Sequence, residues 1–258
     1  MKAFQVNAPH DYRVAEVEEP TAGAGEVLVR VAFAGICGSD MHIIHGDNAF
    51  VRFPRITGHE FAGVIDAVGE GVTDVAVGDR VCVDPVISCG TCYPCRINRP
   101  NVCSALEVIG VHRNGGFEEF VSVPVANVHK LPEHIGLDAA ALVEPYTIAA
   151  NVLDRMQPHP GDRLLILGAG VIGMTILQMA RALGIEEIIV TDVINERLTA
   201  AKELGATHVL NSREQEVEKE VLALTQGEGV PLIADAACVP ALLPQMLRLA
   251  SPAGRIGL

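Results

Sequence analysis

The chain has 258 residues, of which 49% are hydrophobic, 4% are aromatic and none is tryptophan, and its formal net charge is −13. Aliphatic side chains, alanine and glycine must therefore fill the core, as is typical of α/β proteins with parallel strands. The negative charge argues against nucleic acid and anionic membranes as general partners. Neither a signal peptide nor an apolar run of the roughly 18 residues that a membrane span needs is visible, so we expect a cytoplasmic protein.

The first part of the chain alternates short β-like runs with turns rich in glycine, proline and aspartate. Apolar runs at 27–33, 61–65 and 80–83 predict strands, and the turn Gly78-Asp79 precedes the last of them. We therefore predict a first domain over residues 1–145 that is mostly β.

Two short segments of this domain, 37–42 and 59–60, together with one glutamate at its end, contain seven side chains that could bind a metal ion or move protons. They are Cys37, Ser39, Asp40, His42, His59, Glu60 and Glu144. Each alone has an ordinary structural explanation, because a single cysteine or histidine is usually a satisfied core residue. Their combination, followed along the chain by a glycine loop at 168–173 that is typical of dinucleotide-binding domains, indicates a catalytic site.

Four cysteines follow within the segment 89–103 with the spacing C-x2-C-x2-C-x7-C. They are Cys89, Cys92, Cys95 and Cys103. Four thiolates can close a tetrahedral shell around Zn²⁺ and leave no position for a substrate, so the spacing predicts a structural zinc site. An iron–sulfur cluster and four cysteines without a metal are the alternatives. Cys82 and Cys238 lie outside the cluster, and we interpret both as small buried hydrophobic residues.

The second part of the chain alternates strands with helices, which predicts a doubly wound parallel sheet. Strands are expected at 163–167, 187–191, 207–210, 231–235 and 254–258, with helices at 168–183 and 195–204. The charged run 213–220 is interpreted as a solvated helix face. A complete fold of this type has six strands. We therefore expect residues 146–258 to form a nucleotide-binding domain whose C-terminal part is missing.

A glycine loop at 168–173 has the spacing G-x-G-x-x-G and follows a predicted strand. This context is the one in which the motif binds a dinucleotide, with the pyrophosphate at the N-terminus of the following helix. The predicted cofactor-binding residues are Gly168, Gly170, Val171, Ile172, Gly173, Asp192 and Arg197. Because the Asp192 carboxylate suits ribose hydroxyls and repels a 2′-phosphate, NAD is favoured over NADP. Arg197 weakens that preference.

Together these segments resemble the zinc-containing medium-chain alcohol and polyol dehydrogenases, which have a GroES-like catalytic domain and a Rossmann domain. The resemblance covers essentially the whole chain, and its carriers are 35–40, 58–60, 77–81, the four cysteines and the glycine loop. It implies a catalytic zinc held by Cys37 and His59, with Glu60 or Glu144 as the third ligand. It also implies that Ser39 takes the alcohol proton, that His42 passes this proton to solvent and that Asp40 orients the His59 ring.

Within this family, the chain is most similar to starvation-sensing-type hexonate 5-dehydrogenases. The carriers are 53–55, 83–86, 92–95, 110–112, 115–117 and 143–151. The likeness implies oxidation of a hydroxyl of a sugar acid such as L-gulonate or L-galactonate, by a homodimer or homotetramer. A sorbitol-type or threonine-type dehydrogenase and a non-catalytic NAD- and zinc-binding protein are the alternatives.

An anionic substrate of such an enzyme needs a partner in a chain that is itself strongly negative. The candidates for binding the substrate carboxylate are Arg52, Arg55, His112 and Arg113. Arginine would suit a carboxylate best because its fork of N–H groups binds both oxygens.

Overall fold

The computed structural model describes residues 1–258, and they form two compact units, Met1–Glu144 and Pro145–Leu258. The boundary lies where the sequence pattern changes character. None of the helices has the length and apolarity needed to span a bilayer.

The first unit is mostly β. Its strands are β1 (Lys2–Ala8), β2 (Asp11–Glu16), β3 (Glu26–Gly35), β4 (Arg55–Ile56), β5 (Glu60–Val68), β6 (Arg80–Val83), β7 (Val86–Ile87), β8 (Glu107–Val108), β9 (Phe120–Pro124) and β10 (Val128–Lys130). Its helices are α1 (Gly38–His45), α2 (Tyr93–Arg96) and α3 (Leu137–Ala140), and α4 (Val143–Met156) begins just before the boundary.

A five-stranded antiparallel sheet in the order β10-β6-β5-β3-β9 forms the centre of this unit. Apolar side chains of β3, β5, β6 and β9, with Phe61 and Ile65 among the most buried, pack into one core. A three-stranded sheet, β2-β1-β4, and the pair β7-β8 complete the unit. The pairing of β3 with β5 ends at Gly35 and Glu60, which are cross-strand partners. Because the two strands are antiparallel, the residues that follow Gly35 and those that precede Glu60 lie close together.

The second unit is a parallel α/β sheet. Its elements are β11 (Arg163–Leu167), α5 (Val171–Ala182), β12 (Glu187–Asp192), α6 (Asn195–Glu203), β13 (His208–Asn211), α7 (Val217–Leu224), β14 (Val230–Asp235), α8 (Leu243–Leu249) and β15 (Ala250–Gly257). The strand order is β13-β12-β11-β14-β15, with every neighbouring pair parallel.

The central strand β11 shows that both faces of this sheet are covered. Leu164 and Ile166 belong to one buried cluster, whereas Leu165 and Leu167 belong to another. Alternate residues of a strand point to opposite faces, so a strand buried on both faces is a continuous apolar run. This arrangement confirms the predicted GroES-like and Rossmann fold class.

Most element bounds of the second unit lie within one residue of the sequence-based expectation, and two differ by three or more residues. The helix expected from residue 168 begins at Val171, because Gly168 has a φ of 97° and forms a turn. The last strand begins at Ala250 and not at 254. Pro252 and Gly254 interrupt the apolar pattern there and conceal the start of the strand.

Candidate functional site

Three predicted metal ligands of the first unit come together at the end of the β3–β5 pairing. Cys37 follows β3, while His59 and Glu60 lie at the start of β5. One ligand atom from each of the three lies within 4.8 Å of the others. A Cβ atom at Gly35 would stand 2.3 Å from a carboxylate oxygen of Glu60, so the absence of a side chain there makes room for this carboxylate.

Asp40 joins the two segments that carry these ligands. Its carboxylate is 1% exposed and accepts hydrogen bonds from the backbone N–H of Cys37 (2.9 Å) and of Gly58 (3.2 Å). The His59 Nδ1 atom lies 3.9 Å from an Asp40 oxygen, and it is buried without a hydrogen-bond partner. A distance of 3.9 Å is too long for a hydrogen bond. Asp40 therefore holds the backbone beside both ligands, and its carboxylate faces the His59 ring at 3.9 Å.

The electrostatics of this group favour a cation. Although burial acts in the opposite direction, the Cys37 sulfur and the Asp40 carboxylate raise the pKa of His59 to about 9. Burial raises the pKa of the Glu60 carboxyl and that of Glu144. A buried cluster of sulfur, imidazole and carboxylate that attracts positive charge fits a Zn²⁺ ion, which accepts all three kinds of ligand.

Of the two candidates for the third ligand, Glu60 belongs to the group within 4.8 Å and Glu144 does not. Glu144 lies in the first turn of α4 and interacts electrostatically with His59 and Glu60. In the structure, Glu60 thus shares a potential ligand group with Cys37 and His59, and Glu144 is a half-buried carboxyl near this group.

The two predicted proton carriers lie on α1. Ser39 is half-buried in the first turn of the helix, and His42 follows three residues later, on the same side of the helix. The His42 side chain is 68% exposed, and its Nδ1 atom lies 4.0 Å from a carboxylate oxygen of Asp47. The helix therefore leads from a half-buried hydroxyl to an imidazole in contact with solvent.

The four-cysteine lobe has the geometry of a tetrahedral metal site. The four sulfur atoms lie within 4.8 Å of one another, with Cys92 Sγ 3.4 Å from Cys95 Sγ and 3.7 Å from Cys103 Sγ. Sulfurs bound to one zinc at about 2.3 Å are roughly 3.8 Å apart. Hydrogen bonds from backbone N–H groups, of which that of Thr91 has the largest effect, hold the pKa of the Cys89 thiol well below its usual range. An iron–sulfur cluster would require a wider separation of the sulfurs, so the lobe fits zinc.

The glycine loop of the second unit forms a close turn against its own helix. A Cβ atom at Gly173 would stand 1.9 Å from the carbonyl oxygen of Gly168, whereas one at Gly170 would meet nothing within 4 Å. Gly173 therefore allows close packing, and Gly170 faces open space. Gly168, Gly170, Asp192 and Arg197 line a cavity of about 380 Å³. The N-terminus of α5, with Val171 and Ile172 in its first turn, follows Gly170.

Asp192 ends β12 and fixes the loop that follows β11. One carboxylate oxygen accepts a hydrogen bond from Ala169 N–H (2.7 Å), and the other accepts from Val193 and Ile194 N–H. Arg197 lies 3.7 Å from the same carboxylate. Arg197, which argues against a preference for NAD, is thus paired with Asp192, the residue that favours NAD.

The candidates for the substrate carboxylate occupy different places. Arg55 and Arg113 line a cavity of about 440 Å³ whose lining includes none of the metal ligands. Arg52 is exposed. His112 is half-buried, and its ring centroid lies 6.1 Å from that of Phe50. Sequence reasoning did not identify Phe50, because no motif surrounds it.

Comparisons with known proteins agree with this geometry. The alcohol dehydrogenase GroES-like domain matches residues 23–133, and the zinc-binding dehydrogenase domain matches residues 171–258. The starvation-sensing protein RspB of Escherichia coli K12 is 49% identical over 99% of this chain and 75% of its own length.

Two solved structures are similar over 99% of this chain and over 75% and 74% of their own chains, respectively. The alcohol dehydrogenase rspB of E. coli CFT073, complexed with NADH, has a TM-score of 0.92 and 49% identity. Galactitol-1-phosphate dehydrogenase of E. coli has a TM-score of 0.93 and 34% identity. The chain thus has the zinc and NAD sites of an alcohol dehydrogenase, with one structural and one catalytic zinc site.

Proposed function

The chain belongs to the zinc-containing medium-chain dehydrogenase family, and we propose that it oxidises a secondary alcohol of a sugar acid, of the L-gulonate or L-galactonate type, with NAD. The observation that carries this proposal is the group of Cys37, His59 and Glu60, whose three ligand atoms leave a fourth position for an alcohol oxygen. We assign Glu60 as the third ligand because it is the carboxylate that shares a potential ligand group with Cys37 and His59.

A zinc ion at these ligands supplies a Lewis acid that makes an alcohol hydroxyl easier to deprotonate. The residues of α1 then determine where the proton goes. Ser39 in the half-buried first turn would accept this proton while giving up its own hydroxyl proton towards His42, and the exposed His42 would release a proton to solvent. Asp40 keeps the backbone of both ligand segments in place.

The preference for a sugar acid is supported by two features. The motif pattern is similar to that of hexonate 5-dehydrogenases, and one structural relative is named for galactitol-1-phosphate, an anionic sugar alcohol. Asp192 supports NAD as the cofactor, because a 2′-phosphate would meet its charge. The loop residues Gly168, Gly170, Val171, Ile172 and Gly173 would hold the pyrophosphate.

The test is NADH formation with L-gulonate, L-galactonate, D-sorbitol and L-threonine compared in parallel. We expect one hexonate to be turned over with the highest kcat/KM, and Cys37→Ser to abolish this activity. Turnover of sorbitol or threonine alone would refute the sugar-acid substrate and retain the zinc mechanism. Cys82→Ser, outside both metal groups, is the matched control for the loss of a thiol.

We also propose that the protein works in the cytoplasm as a homodimer or homotetramer. Free thiolates at two metal sites persist in a reducing compartment, and closed homo-oligomers are common among enzymes. Sedimentation of the purified protein tests the assembly, and a monomer at micromolar concentration would refute it.

A further inference from the structure

The turn formed by residues 108–113 lies against both segments that build the metal group of the first unit. A Cβ atom at Gly110 would stand 2.8 Å from the carbonyl oxygen of Gly58, so the two backbones touch directly before His59. On its other side, Val111 packs in one buried cluster with Ile43 and Ile44 of α1. The turn is therefore fixed by the chain beside a metal ligand and by the helix of the proton carriers.

His112 lies in this turn with one ring nitrogen already engaged. Its Nδ1 atom accepts a hydrogen bond from Val108 N–H at 3.0 Å. An acceptor at Nδ1 places the proton of the neutral ring on Nε2, so Nε2–H is the remaining donor. The turn supplies a neutral hydrogen-bond donor of fixed orientation.

Phe50, in the segment after α1, forms one wall next to this donor. The two rings are tilted by 39° with their centroids 6.1 Å apart, within the range of attractive aromatic pairs. Phe50 is 71% exposed although it is large and apolar. The pair thus places an exposed apolar ring beside a ring nitrogen that is available as a hydrogen-bond donor.

Two of the arginines that were candidates for binding the substrate carboxylate already have partners elsewhere. Arg113 donates to Glu26 Oε1 at 2.7 Å, and this carboxylate also accepts from Ser122. Arg55 donates to Asn114 and lines the cavity that contains none of the metal ligands. His112 and Arg113 both lie on the turn that contacts the two catalytic segments, and of the two only Arg113 is held in an ion pair, with Glu26.

We infer that His112 is a specificity-determining residue whose Nε2–H donates a hydrogen bond to a substrate oxygen away from the reacting carbon, with Phe50 packing against the carbon chain. The inference rests on the proposed function, and in a sugar acid the recipient is the carboxylate. A hydrogen bond to a charged group is among the stronger ones in proteins. Because this contact exists before and during the reaction, its loss raises KM and leaves kcat nearly unchanged.

The experiment measures kcat and KM of the full chain for hexonates and hexitols in three variants. His112→Leu removes the donor, His112→Gln keeps an N–H group, and His134→Leu, at an exposed histidine of the same unit, is the control. We expect His112→Leu to raise the KM for the hexonate about 10- to 100-fold. The glutamine variant should recover part of this loss, with zinc content unchanged in all three.

An unchanged KM in His112→Leu would overturn the inference, as would equal losses in the leucine and glutamine variants accompanied by loss of zinc. The substrate proposal fails separately. If the unmodified protein oxidises a hexitol and no hexonate, the sugar-acid assignment is wrong. A raised KM for that hexitol in His112→Leu would still support the hydrogen bond.

Discussion

Replacing Gly58 by alanine tests how the backbone positions the catalytic ligands. Gly58 has a φ of 96°, a conformation that disfavours any Cβ atom, and it directly precedes His59. A Cβ atom there would also lie 2.7 to 3.0 Å from three ring atoms of Phe117. The Gly58 N–H donates to Asp40, so a shift of this residue disturbs the link between the two ligand segments.

A second glycine offers a control that separates the strain of a positive φ from the contact with Phe117. Gly71 has a φ of 81°, and a Cβ atom there would meet nothing within 4 Å. Gly71→Ala should therefore cost only the backbone term, about 1–2 kcal/mol. Gly58→Ala adds an overpacked contact of about 1–3 kcal/mol, so we expect a total of roughly 2–5 kcal/mol.

Thermal unfolding and metal analysis of both variants measure these effects. We expect Gly58→Ala to lower the Tm more than Gly71→Ala does, and to be alone in losing catalytic zinc. Adding Phe117→Leu to Gly58→Ala should recover part of the stability, because a smaller side chain relieves the contact. Equal Tm values for the two single variants, with full zinc content, would refute this account of the site.

Two further substitutions test the other sites. Asp192→Ala removes the acceptor of three backbone N–H groups and frees Arg197. We therefore expect the KM for NAD to rise roughly tenfold or more and the ratio of kcat/KM for NADP over NAD to increase. An unchanged ratio would contradict this role of Asp192. Cys103→Ser should lower the zinc content by one ion and reduce the Tm. Cys238→Ser should change neither, because Cys238 lies outside the cluster and is exposed, in contrast to the buried position expected from the sequence.

The features that sequence predicted most directly are local ones. Cys89, Cys92, Cys95 and Cys103 are close in the chain, so a compact loop suffices to bring their sulfurs within one metal shell. The Rossmann strands are continuous apolar runs because both sheet faces are covered, as the two clusters around β11 show. In both cases the residues that specify the structure are close to one another in the sequence.

The catalytic site depends on long-range pairing that no local pattern contains. Sequence indicated Cys37, His59, Glu60 and Glu144, but only the register of β3 with β5 brings Glu60 into one group with Cys37 and His59. The residues proposed to bind the substrate carboxylate also depend on long-range pairing. Arg113 has the chemistry of a carboxylate partner, yet the fold pairs it with Glu26, which is distant in sequence.

Glu118 provides a test of burial that is independent of the metal sites. It lines the cavity of Arg55 and Arg113, it is 9% exposed, and burial raises its pKa from 4.5 to about 8. Below pH 4.5 the carboxyl is protonated in both the folded and the unfolded states, and the stability associated with it is fully present. Between pH 4.5 and 8 only the unfolded state releases the proton, so stability falls by up to about 1.4 kcal/mol per pH unit.

At pH 7 this difference reaches about 3 kcal/mol, and it levels off above pH 8. Glu118→Gln keeps the size of the side chain and removes the ionisation. We therefore expect the Tm advantage of Glu118→Gln over the unmodified protein to be small near pH 4.5 and larger by several degrees at pH 8. Glu133→Gln, at an exposed position of the same unit, is the control. A Tm difference for Glu118→Gln that does not grow with pH would show that the carboxyl ionises freely in the folded protein.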